Sequence, residues 1–139
     1  MLYYKLLIRR KDGRLISAGD MPYHMRQTYN PNKWVLPKIA GSKIFVFDDL
    51  RSARYFHNKR VDRHGRYKYE LWSVFAYDAT PYTHLPRIWD DEIHHKEKQS
   101  IALRFWKEHE IYKFSYLAMG RTFQQVYGTS AIKLIEKIS

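Results

Sequence analysis

The chain has 139 residues and no cysteine, which excludes a disulfide framework and thiolate metal sites. No apolar run approaches the roughly 20 residues of a membrane-spanning helix. Lysine and arginine number 25 against 14 acids, a formal charge of +11, so the surface favours polyanions; the same charge also helps to keep a chain that is 17% aromatic in solution.

The N-terminal MLYYKLLIRRKDG places its apolar part first and its charges after, the reverse of a signal peptide. The expectation is a soluble protein of the host-cell cytoplasm, with no membrane partner. Leu2 to Ile8 reads as a strand, Lys11-Asp12-Gly13 as a turn, and Leu15 to Ala18 as the returning strand of a β-hairpin. Residues 19–33 are weakly patterned, with room for a short strand at Tyr29 before the Asn30-Pro31-Asn32 turn. Trp34-Val35-Leu36 is an apolar run stopped by Pro37.

The best-specified stretch is Gly41 to Phe56. Ile44 to Phe47 reads as a buried strand, Asp48 or Asp49 as an N-cap, and Leu50, Ala53 and Tyr55-Phe56 as the apolar positions of a helix over 49–58. A turn is expected at 62–66. Tyr67 to Ala79 is the longest strand candidate, with Tyr67, Tyr69, Leu71, Ser73, Phe75 and Tyr77 on one face. Its other face is apolar only at its centre, as expected of a strand covered on both sides at mid-length. Thr80 to Arg87, with two prolines, reads as a loop. Residues 90–118 read as helical, Val126-Tyr127 is ambiguous, and Ala131 to Ile138 reads as a closing strand, with a short helix as its competitor. The fold class is therefore α+β: a single domain over 1–139, mainly antiparallel sheet, with a short helix after the central strand and a helical embellishment at 89–120.

In order, these features are a hairpin with an Asp-Gly turn, Trp34 before a proline, and Gly41, Ile44 to Leu50, Ala53 and Phe56. Glu70-Leu71-Trp72 on an aromatic strand and Ile132-Lys133-Leu134 follow. In this the chain resembles a loose group of small phage and viral accessory proteins with a G-x-x-I-x-V-F-D-D-L-x-x-A-x-x-F segment. The likeness covers about the first 78 residues and the last strand; 89–120 depart from it. It implies a small β-rich α+β domain and an accessory role such as counter-defence, and it carries no catalytic residues. A fainter likeness is to small ADP-ribosyltransferase-like folds, whose Arg…Ser-Thr-Ser…Glu-x-Glu and His-Tyr-Glu series are not found here.

Catalytic and metal sets are not recognisable. His94-His95, with Glu92 and Glu97, would diverge by about 100° on a helix, so a solvated face explains them better than a metal. Asp48-Asp49 and Asp90-Asp91 precede helices, where capping accounts for them. Glu70 and Asp78, eight residues apart on a strand, lie about 26 Å from each other and form no acid/base pair. No cofactor motif is present.

The richest signal is basic residues interleaved with aromatics. From Arg51 to Lys68 there are nine Lys, Arg or His within 18 residues, against one acid, Asp62. Arg51, Arg54, Lys59, Arg60, Arg63, His64, Arg66 and Lys68 are the candidate anion-binding residues, extended by Arg9, Arg10 and Arg14 at the first turn. Guanidinium groups pair with phosphates and exposed tyrosines stack on bases; the alternative is a solvated basic face. No helix-turn-helix, zinc finger, RNP or KH signature appears. The expected function is a non-enzymatic accessory protein binding nucleic acid, a nucleotide or an acidic protein surface. The alternatives are a protein–protein inhibitor acting through 89–120 and a degenerate ADP-ribosyltransferase-like enzyme.

Overall fold

The structure is a computed structural model describing residues 2–18, 26–39, 41–63, 67–82 and 126–139, without the side chains of 59–63 and Tyr82. It is an α+β fold: an antiparallel sheet with one helix among the described residues. Chain order is β1 (Leu2–Arg9), β2 (Leu15–Ser17), β3 (Thr28–Tyr29), β4 (Trp34–Val35), β5 (Ile44–Phe47), α1 (Leu50–Arg63), β6 (Lys68–Tyr77), β7 (Thr80–Tyr82), β8 (Val126–Thr129) and β9 (Ala131–Lys137). The expected helical embellishment at 89–120 lies outside the described residues.

The hairpin β1–β2 forms as its turn chemistry requires, with Gly13 at φ 91° and Arg10 N–H donating to Arg14 O at 2.8 Å. Its partner β6 runs the whole length of β1, from Leu2↔Phe75 to Arg9↔Lys68. The other edge of β1 is divided. Its last residues pair with β2, and Tyr4 pairs with Phe47 of β5.

The sheet cannot be flat. The path β9–β6–β1–β5–β8 begins and ends on one continuous stretch, 126–137, interrupted only at Ser130. In a flat sheet those two ends would stand about 19 Å apart, at about 4.8 Å per strand. The edges β3 and β4 meet the same constraint. They are five pairing steps apart through β2, β1, β6 and β9, about 24 Å if flat. Yet Tyr29 and Trp34 are joined by a link that reaches at most about 18 Å. The sheet therefore rolls into an open barrel, helped by a register shift opposite Ser73/Val74, where Ile135 is the extra residue of β9 and bends that strand.

Rolling gives two apolar layers. The interior holds Tyr3, Leu7, Leu15, Tyr29, Ile44, Val46, Trp72, Val74, Ile132 and Leu134. The outer layer, Leu6, Ile8, Ile16, Phe47, Tyr69 and Leu71, is covered by Ala53 and Phe56 of α1, with the Phe47 and Phe56 rings 5.5 Å apart. Strands β1 and β6 contribute alternate residues to both layers, so both are buried through their middles.

Helix α1 begins where the sequence places it. Asp49 is the cap: its Oδ1 accepts from Arg51 N–H at 2.9 Å, its Oδ2 accepts from Ser52 Oγ at 3.2 Å, and its carbonyl accepts from Ala53 N–H at 3.1 Å. The helix runs on to Arg63 rather than stopping at 58 and turning at 62, because no breaker precedes Gly65. The expected loop after β6 is partly strand. Pro81 sits in β7, which pairs with β8 and lies at the end of the strand path, the position where a sheet tolerates proline. The ambiguous Val126-Tyr127 belongs to β8, and 131–137 is strand, not helix.

Between the β5 and β2 pairings of β1 lies Lys5, pointing to the interior side. Its Nζ donates to Phe45 O at 2.7 Å and stands 5.8 Å from the centre of the Tyr29 ring. Burial lowers the Lys5 ammonium to about 8 and pushes the Tyr29 hydroxyl up to about 12.

Two outcomes follow. Replacing Asp49 by Ala removes the cap and lowers stability by about 1 kcal/mol in urea unfolding. Because Lys5 is lowered on folding, the unfolded chain binds the extra proton between pH 8 and 10.5. Its contribution to stability therefore rises with pH from 8 to about 10; above this, the raised Tyr29 contributes a fall, since the unfolded tyrosine ionises first. Urea titrations at stepped pH are expected to lose the Lys5-dependent rise in the Lys5→Met variant and to keep the fall.

Candidate polyanion-binding surface

Ala53 and Phe56 fix the rotation of α1 against the sheet, which turns Arg51, Arg54, Tyr55 and Asn58 to solvent. Arg51 and Arg54 are one turn apart and form no ion pair with a carboxylate among the described residues. Tyr55, next to Arg54 on the same helix, is 46% exposed. His57 is turned inward instead, its ring 6.4 Å from Tyr69. Burial, and then the charge of Arg54, lower its pKa, so near neutral pH it adds no cation to this face. The backbone of α1 carries Lys59, Arg60 and Arg63 in its last turns. His64 and Arg66 lie outside the described residues.

Lys68 does not join this face. Tyr67 and Tyr69 pack on the α1 side, so strand alternation sends Lys68 to the opposite side, paired across the ladder with Arg9. The first-turn cations are also engaged by neighbours. Arg9 donates from Nε and Nη2 to the two oxygens of Glu70, each at 3.0 Å, and from Nη1 to Gly13 O at 2.7 Å. Arg14 Nε stands 2.9 Å and Arg10 Nε 3.9 Å from Asp12 Oδ2. Glu70 is almost fully buried; it also accepts from Trp72 Nε1 at 3.1 Å and faces Lys137 Nζ at 4.0 Å. Burial pushes its carboxyl up, but the bonds from Arg9 and Trp72 and the charges of Arg9 and Lys137 bring it below the usual range. Arg9 and Glu70 thus form a fastening of the hairpin to β6, while Arg51 and Arg54 are presented outward.

A second surface comes from strand register. Trp34 pairs with Lys133, Lys133 with Phe75 and Phe75 with Leu2. Paired residues share a face, and Val35, Val74 and Ile132 take the interior, so this row points outward. Trp34 is 54% exposed, Phe75 44% and Tyr77 65%. Beside Trp34, at the seam between β3 and β4, is an open cleft of about 400 Å³ whose lining includes Arg26, Lys33, Leu36 and Lys38. Gln27 spans the seam: its Nε2 donates to Leu36 O and its Oε1 accepts from Lys38 N–H at 3.1 Å. Sequence reasoning missed this surface. Alternation places Phe75 and Tyr77 on the Leu71 face, but the β4–β9–β6 register that lines Trp34 up with Lys133 has no local signal.

No helix among the described residues is long and apolar enough to cross a membrane. Comparison with protein-family models, curated proteins and solved structures finds no match. The depressed Glu70 carboxyl carries its own test. Its contribution to stability is present above the ordinary carboxylate pKa of about 4.3 and is lost as pH falls through the lower, folded value. Urea midpoints measured from pH 6 to pH 3 are expected to fall less steeply in Glu70→Gln than in the parent.

Proposed function

We propose that the protein is a non-enzymatic binding module for an anionic partner, and that this partner is nucleic acid. The observation that carries the reading is the outward face of α1. Arg51 and Arg54 stand one turn apart there, beside an exposed tyrosine, on a chain of net charge +11. Guanidinium groups so placed meet phosphates in pairs without first leaving an internal carboxylate. Such contacts read the backbone and its shape rather than base edges. The resemblance of the Gly41 to Phe56 segment supports an accessory role of the phage and viral type, for which counter-defence is the implied setting. An inhibitor acting through 89–120 would use residues outside those described.

Anisotropy of labelled 20-nucleotide DNA and RNA, single- and double-stranded, tests this over a range of salt. Affinity is expected to fall steeply with added salt. Arg51→Gln/Arg54→Gln is expected to weaken binding to every sequence and to reduce the duplex salt slope by about two. Absence of binding to all four probes at low salt overturns the reading.

A further inference from the structure

The row Trp34–Lys133–Phe75 and the adjoining cleft are separate from the α1 face. We infer that this strip is a nucleotide-stacking platform. A base lies on the exposed Trp34 indole, a neighbouring base or sugar lies on Phe75, and phosphates are met by Lys133 and the cations of the β3–β4 cleft. The inference rests on the nucleic-acid reading and deepens it, because it names single-stranded chain as the form this surface takes.

Spacing supports it. Trp34 and Phe75 are two strands apart, about 10 Å, and Tyr77 is two residues beyond Phe75, about 7 Å. Those intervals suit unstacked nucleotides laid across a sheet, where aromatic faces accept any base. Charge decides between a nucleic acid and an apolar protein partner. Lys133 lies between the two aromatic residues, with no carboxylate partner among the described residues. Under an apolar partner its ammonium would be buried unpaired, which is costly; under a phosphodiester it is paired. The cleft has the same sign: its charged lining among the described residues is Arg26, Lys33 and Lys38. Its volume of about 400 Å³ falls in the range of small-ligand sites. The occupant is a single strand, each unit of which offers an aromatic base for stacking and a phosphate for the lysines.

The full chain is tested with fluorescein-labelled dT12, a duplex of equal length, and AMP and UMP followed by tryptophan fluorescence. Trp34→Ala is expected to weaken dT12 binding at least fivefold while leaving the duplex within twofold; Trp34→Phe keeps most of the affinity. Lys133→Gln is expected to lower the dT12 salt slope by about one. Photocrosslinking of 5-iodouracil oligonucleotide to the unmodified protein is expected to map to Trp34 or Phe75, which needs no variant to fold. Mononucleotide binding that Trp34→Ala abolishes, with dT12 no tighter, overturns the single-strand assignment. Duplex binding retained with dT12 indifferent to Trp34→Ala overturns the platform and leaves the α1 reading standing; loss of all binding in the parent overturns both. A dimer in solution that Trp34→Ala converts to monomer also overturns it, since a second copy then covers the strip.

Discussion

Strand β1 is hydrogen-bonded along both edges, and nearly everything else depends on how those edges are shared. One edge is given wholly to β6. The other is divided between β2 and β5, so the sheet must branch there, and each branch returns to the chain it started from. Backbone groups leave no freedom in this: a buried N–H or C=O needs a partner, and the ladder supplies partners on a curve. The interruption between the two branches is where Lys5 sits, and its ammonium meets the Phe45 carbonyl. A charge half-buried in a barrel wall is thus a consequence of dividing an edge.

The same rolling fixes what faces outward. Alternate residues of β1 and β6 go to the interior and to the layer beneath α1, and α1 is long enough to cover the Leu6–Leu71 end of the outer layer. The Leu2–Phe75 end is left to solvent. Two surfaces result, one helical and rich in arginine, the other a sheet face carrying aromatics and lysines. They are built by different means. Helical arginines need only the right rotation of one helix, which Ala53 and Phe56 set. The sheet row needs three strands from distant parts of the chain in correct register.

That difference explains what could be read in the sequence. The hairpin, β5, a cap at Asp48 or Asp49 and β6 are local patterns: a turn glycine, an apolar run, a carboxylate before a helical stripe, an alternating strand. Each was legible. The end of α1 was not, because Lys59 to Arg63 continues a helix as well as it fills a loop. Nor was β7, where Pro81 argues for a loop and only the edge position makes it acceptable. The charge run 51–68 looked like one patch in sequence. Strand alternation separates Lys68 from it, and the long-range pair with Glu70 engages Arg9. Trp34, Lys133 and Phe75 are 41 or more residues apart in sequence, and a row of that kind exists only after the sheet has closed.

Because 126–137 supplies both the first and the last strand of the path β9–β6–β1–β5–β8, the barrel has no finished subset. During synthesis β1, β5 and β6 leave the ribosome with their interior faces open, and they stay open until the returning stretch emerges. Folding is then governed by contacts of very long sequence separation, the slow kind. The nascent chain exposes Leu7, Val46 and Val74 throughout that interval, a period in which apolar strands invite association. A strongly cationic chain is in part protected there by mutual repulsion, which gives the excess of lysine and arginine a task before the native surface exists.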